Sequence, residues 1–183
     1  MDSSGNFIWA IKIGGVGFIS AWHQASSITV DSLNNIYATG FFGGIVDMDP
    51  GPGTFTLSQT GLHDVFVTKY TSNGSLVWAK QFGSSGFDQS CSICLDPNEN
   101  IITTGTFEFT VDFDPGPGNF SLTALGNNNC FISKLDNNGN FLWAKSFTGL
   151  LSEGHAIVSN QQGDLYCTGT FCGIADFDPS SAT

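Results

Sequence analysis

The stretch that decides the fold is Val46-Asp47-Met48-Asp49-Pro50-Gly51-Pro52-Gly53. It returns as Val111-Asp112-Phe113-Asp114-Pro115-Gly116-Pro117-Gly118 and again, shortened, as Ala175-Asp176-Phe177-Asp178-Pro179. Asp47 recurs as Asp112, 65 positions on, and as Asp176 after a further 64. The chain is a repeat array. A unit of this length cannot bury its own apolar face and has to lean on its neighbours.

Outward from that stretch the repeats align residue by residue. Trp9, Trp78 and Trp143 open equivalent segments, each preceded by a glycine turn at Gly5, Gly74 or Gly139. A glycine-rich link leads to a hairpin, Ser27–Asp31 with Asn35–Gly40, matched by Ser92–Asp96 with Asn100–Gly105 and by Ala156–Asn160 with Asp164–Gly169. After the acidic stretch come short alternating runs, Thr54–Leu57 and Asn119–Leu122, which read as an edge strand or an ordered loop. The runs Asp64–Lys69 and Asn129–Lys134 then turn at Asn73-Gly74 or Asn138-Gly139 into the tryptophan strand, a strong hairpin signal. Four principal strands in meander order fill each period, the content of one propeller blade. The expected fold is all-β: a β-propeller-like array of four-stranded antiparallel blades, two full and a partial third, with repeats near 9–77, 78–142 and 143–183. In the first repeat Trp9 and Asp31 are 22 positions apart against 18 for Trp78 and Asp96, and the insertion around Ile19–Trp22 is assigned to a surface loop.

Composition agrees with this pattern. Aromatic residues make up 13% of 183, with 23 glycines and only 11% charged residues, a profile of short strands joined by tight turns. A net charge of −11 repels phosphate backbones and anionic lipid, so nucleic acid is not expected as a partner. The run Phe7–Ile11 ends at Lys12, and neither a signal peptide nor a membrane span is visible. The chain starts inside a repeat and stops inside a loop, which is expected of a fragment of a longer propeller or of a self-associating array. The five cysteines, at 91, 94, 130, 167 and 172, have no repeat-matched spacing. They are read as small core residues without a metal role, one chance disulfide being left open.

The combination of Asn35–Gly40, Val111–Gly118 and Phe131–Lys145 resembles the SBBP-type β-propeller repeat of large secreted or surface-attached bacterial proteins. The resemblance covers nearly the whole chain. It implies a propeller fold and a secreted or cell-surface location, and it is not tied to one reaction or ligand.

The acidic pairs are the candidate site. On an extended chain Asp47 with Asp49, Asp112 with Asp114, and Asp176 with Asp178 lie on one face, about 7 Å apart between Cα atoms. Set before a rigid Pro-Gly-Pro-Gly loop, each pair can offer oxygens to Ca²⁺, with Asp64 a further ligand in the first repeat. The reading preferred to this is that one Asp of each pair caps the turn by accepting backbone N–H bonds while the other faces water. Trp9, Trp78 and Trp143 can form a sugar-stacking platform or fill the space between blades, and the second reading is preferred. Trp22, outside the repeat pattern, is a better candidate for an exposed contact than the other three, although core or loop packing is the preferred reading. His23, His63 and His155 occupy three different repeat positions, Gly83-Ser84-Ser85-Gly86 sits in a strand link, and no catalytic motif is present. The expected function is a non-catalytic extracellular or cell-surface scaffold for protein or glycan binding or adhesion. The rivals are a propeller hydrolase or lyase with catalytic residues in other blades, and a glycan-binding lectin.

Overall fold

The computed structural model describes residues 1, 3–15 and 22–178. Fourteen strands and no helix occur among them, and so no helix long and apolar enough to cross a membrane. Four strands, β2 (His23–Val30), β3 (Ile36–Phe42), β6 (Asp64–Tyr70) and β7 (Leu76–Phe82), form one antiparallel sheet in the order β2-β3-β6-β7. A second sheet has the order β14-β13-β12-β9-β8, with β8 at Gln89–Leu95, β9 at Ile101–Phe107, β12 at Asn129–Leu135, β13 at Phe141–Ser159 and β14 at Leu165–Asp176. The four-strand meander therefore appears twice. β13 then runs on without a break from the tryptophan strand that opens the third repeat into the first strand of its hairpin.

The acidic stretches make small hairpins of their own. β4 (Ile45–Asp47) pairs with β5 (Thr56–Ser58), and β10 (Thr110–Asp112) with β11 (Ser121–Thr123). Of the two expectations for Thr54–Leu57 and Asn119–Leu122, the strand is observed.

One expectation is corrected. Phe7–Lys12, read as the tryptophan strand of a first repeat, belongs to no sheet. Only β1 (Gly14–Gly15) pairs, and it pairs with β4. Trp78 and Trp143 stand in strands bonded to β6 and β12, whereas no described segment pairs with Phe7–Lys12. The insertion at Ile19–Ala21 lies outside the described residues, as does the end of the chain from Pro179.

Local chemistry explains the hairpins. Asp31 accepts the N–H groups of Leu33 and Asn35 on Oδ1 at 2.9 and 2.8 Å, and the Asn35 side-chain amide on Oδ2 at 2.8 Å. Asp96 with Asn98 and Asn100, and Asp136 with Asn138 and Asn140, repeat the pattern. Asn160 takes the same place over Gln162 and Asp164. The fourth residue of each turn has positive φ, at Asn34, Glu99, Gly139 and Gly163, and at Gly74 in the Thr71–Ser75 turn. This is a three-residue loop, a tight turn closed by one left-handed residue. Burial works against ionisation of Asp31, Asp96 and Asp136, but hydrogen bonds, led at Asp96 by the one from Lys134 and otherwise those of the turn, outweigh it and hold the carboxyls below the usual carboxylate range.

The sheets stack through apolar faces. Tyr37, Val65 and Val67 of the first sheet meet Ile93, Ile101, Phe107, Phe113, Phe131 and Leu135 around the second. The second and third repeats meet through Ile102, Ile132 and Ile157, with Trp143, Phe147 and Leu165 against them. Hydrogen bonds recur in step with the packing: Ile93 N–H donates to Ser27 Oγ at 3.3 Å, and Ile157 N–H donates to Ser92 Oγ at 3.2 Å. Each pair spans one repeat.

Candidate functional site

Alternation along Val46-Asp47-Met48-Asp49 sends Val46 and Met48 into the core, both essentially fully buried, and leaves the two carboxylates on the opposite side. Val111 and Phe113 do the same in the second repeat. Phe113 sits among Phe82, Phe107 and Phe131 with ring centroids 5.0–5.3 Å apart. Tyr70 donates its hydroxyl to the Met48 carbonyl at 2.9 Å, tying the first corner to β6.

The carboxylates then close the corner. Asp47 Oδ1 accepts the N–H groups of Asp49 and Phe55 at 3.0 and 2.9 Å, and Asp49 Oδ1 accepts that of Gly51 at 2.8 Å. Asp112 Oδ1 accepts from Asp114 and Phe120 at 3.1 and 2.8 Å, its Oδ2 from the Asn119 amide at 3.0 Å, and Asp114 Oδ1 from Gly116 at 2.8 Å. Asp176 accepts from Asp178 at 2.9 Å, where the described chain ends. Gly53 and Gly118 let the loop wrap its carboxylate: a Cβ there would fall 2.3 Å from Asp49 Oδ2 and 2.1 Å from Asp114 Oδ2. Every pair thus accepts backbone N–H bonds. No group of three or more His, Cys, Asp or Glu is placed to hold one ion among the described residues.

The other residues singled out in the sequence lie apart from the corners. Asp64 is fully buried, where Oδ2 accepts from the Thr60 N–H and hydroxyl, both at 3.0 Å. Ser84, in the glycine-rich link, donates its hydroxyl to Asp88 Oδ2 at 2.9 Å and accepts the Gly86 N–H at 3.0 Å. Burial pushes the Asp88 carboxyl up, to about 6; the bonds from Ser84 and Glu108 pull against this, and the charge of Asp64 adds to it. His63 lies between the rings of Phe41 and Phe87 with centroids at 4.9 and 5.1 Å, and burial pushes its imidazole below the usual range. His155 is exposed, with Nε2 3.5 Å from Glu153 Oε2.

Trp9, Trp78 and Trp143 pack against neighbouring segments of the fold. Trp78 Nε1, in the first sheet, donates to the Asn137 carbonyl at 3.2 Å in the β12–β13 turn of the second, and Gly139 lies against the same ring. Trp9 stands equally against Gly74, and Trp143 lies in the second apolar interface. Trp22 is 73% exposed. A juxtaposition missed in the sequence is that of Cys130 and Cys167, both close to the Thr104 hydroxyl. They occupy unrelated repeat positions, so no periodic signal marks them.

Stacked antiparallel sheets repeating every 64–65 residues define an all-β repeat protein, an arrangement consistent with part of a β-propeller. Over 114 residues, 55% of the chain, it is 30% identical to an uncharacterized WD repeat-containing protein of Acanthamoeba polyphaga mimivirus. The match covers 8% of that relative's length. No family model matches the chain.

Proposed function

We propose that the chain is a non-catalytic scaffold segment of a β-propeller with SBBP-type repeats, recognising a protein partner through its acidic corners. The observation that carries this is the pair of matched bonds from Ile93 to Ser27 and from Ile157 to Ser92, which support one stacking geometry used twice. Such a geometry extends by adding further repeats or a second copy, as blades do. The WD repeat-containing relative supports a protein-interaction scaffold ahead of a hydrolase or lectin. The repeat limits near 9–77, 78–142 and 143–183, and a secreted or cell-surface setting, go with the same proposal.

The recognition surface follows from charge. Sixteen acidic residues face five lysines. One of those lysines is paired inside the fold, with Lys134 Nζ 2.7 Å from Asp96. The exposed Pro-Gly-Pro-Gly corners hold their carboxylates rigidly, a preorganised anionic edge for a cationic segment of a partner. The test is fluorescence anisotropy with a lysine-rich peptide. Binding that weakens with salt and falls at least tenfold in the Asp49→Asn, Asp114→Asn double variant is expected. Absence of binding at low salt, or equal binding by the variant, overturns the reading.

A further inference from the structure

Cys130 and Cys167 stand on facing sides of the junction between the second and third repeats. Cys130 is in β12 and buried; Cys167 is in β14 and exposed. Their sulfurs lie 3.7 and 3.6 Å from one atom, Thr104 Oγ1, which donates its proton to the Phe131 carbonyl at 2.7 Å. Gly154 makes the approach feasible, because a Cβ there would sit 2.1 Å from Thr104 Oγ1 and 2.9 Å from Cys130 Sγ. A cleft of about 210 Å³ lined by Cys130, Cys167, Ser152 and Phe171 opens onto the pair. We propose that Cys130 and Cys167 form an oxidative modification site, a dithiol that closes to a disulfide joining the second repeat to the third.

The two thiols are differentiated for the exchange. The hydrogen bond from Cys130 draws the Cys167 thiol below its usual range against the cost of burial, and the charge of His155 acts the same way. The same bond, with burial, pushes Cys130 up. Cys167 is therefore the attacking thiolate and Cys130 the resolving thiol. With a small disulfide such as oxidised glutathione, Cys167 attacks one sulfur, forms a mixed disulfide and releases a glutathione thiolate. The Cys130 sulfur then attacks Cys167 Sγ, its proton passes to solvent base, and the second glutathione leaves as thiolate. Two protein thiols are oxidised and one glutathione disulfide is reduced to two thiols. Cys91 and Cys94 are poorer competitors, since burial pushes both thiols up, that of Cys94 to about 11.

The experiment is incubation of the folded chain with oxidised glutathione, alkylation of the remaining thiols, and peptide mapping without reduction. A Cys130–Cys167 linked peptide is expected, with Cys91, Cys94 and Cys172 alkylated and a rise in Tm of about 10 °C from closing the intervening loop. Cys130→Ser should stop at glutathione bound to Cys167, and Cys167→Ser should give neither product; circular dichroism checks that both variants fold. A map in which Cys130 is alkylated throughout, or in which Cys91–Cys94 is the bridge, overturns the proposal.

Discussion

Gly105 is the position where one added methyl group tests the sheet geometry. It lies in β9 between β8 and β12, opposite Ser90 on one side and Phe131 on the other. β8 carries a bulge between Ser90 and Ser92, which pushes its backbone toward β9. A Cβ on Gly105 would lie 2.0 Å from the Gln89 carbonyl oxygen and 2.7 Å from Ser90 Cα. Carbon and carbonyl oxygen settle at about 3.3 Å, so backbone bonded on both sides would have to move by about 1.3 Å. The Gly105→Ala variant should therefore lose about 3 kcal/mol, the upper part of the overpacking range, which is about 6–12 °C in Tm for a chain of this size. Gly149→Ala is the control. Its Cβ would meet Ala175 Cβ at 3.4 Å, an ordinary contact, and should change stability by no more than about 1 kcal/mol in either direction. Urea unfolding of the three proteins decides the matter. If Gly105→Ala falls no further than Gly149→Ala, the bulge does not need a glycine opposite it. Gly40 and Gly169, with added Cβ atoms 1.8 Å from the Gln24 oxygen and 2.0 Å from the Glu153 oxygen, face bulges of the same kind.

Asp88, raised to about 6, ionises in the unfolded chain near the ordinary value of about 3.9, so between these limits the native state holds a proton that the unfolded state lacks. Its contribution makes stability climb as pH falls through that window, by up to about 1.4 kcal/mol per pH unit. Asp88→Asn should remove this slope, and a wild-type minus variant difference that stays flat from pH 7 to 4 refutes the assignment. Asp31, Asp96 and Asp136, all lowered, lose their contributions below the window and cancel in the difference. Asp112→Ala strips the acceptor from the Asp114 and Phe120 N–H groups and should cost about 1–2 kcal/mol by thermal melting. Because those oxygens already serve the backbone, excess Ca²⁺ should leave the wild-type Tm unchanged; a rise would establish an ion at the corners. Phe113→Ala should cost about 3–5 kcal/mol in urea, whereas Phe177→Ala, at the matched but 59% exposed position, should cost less than about 1.

What could be read from residue order was whatever one repeat states by itself and the next repeats aloud. The meander follows from runs of β-formers set between turn residues, and the corner follows from alternation, which sends Met48 and Phe113 inward and the carboxylates outward. The Trp9 segment shows the limit of that reasoning. Its sequence matches Trp78 and Trp143, yet a strand is a relation between two segments, and among the described residues none pairs with Phe7–Lys12. Contacts between stacked sheets divide along the same line. Ser27 with Ile93 and Ser92 with Ile157 lie one repeat apart, so the period carries them forward together. Asp64 opens β6 and Asp88 lies in the link before β8, and Cys130 and Cys167 come from different strands of successive repeats, so neither pair lies one period apart. Chemistry peculiar to one junction has to break the repeat in order to exist. The unmatched cysteines and the carboxyl at Asp88 are therefore where this scaffold departs from a plain stack of sheets, and a search guided by periodicity passes over such residues.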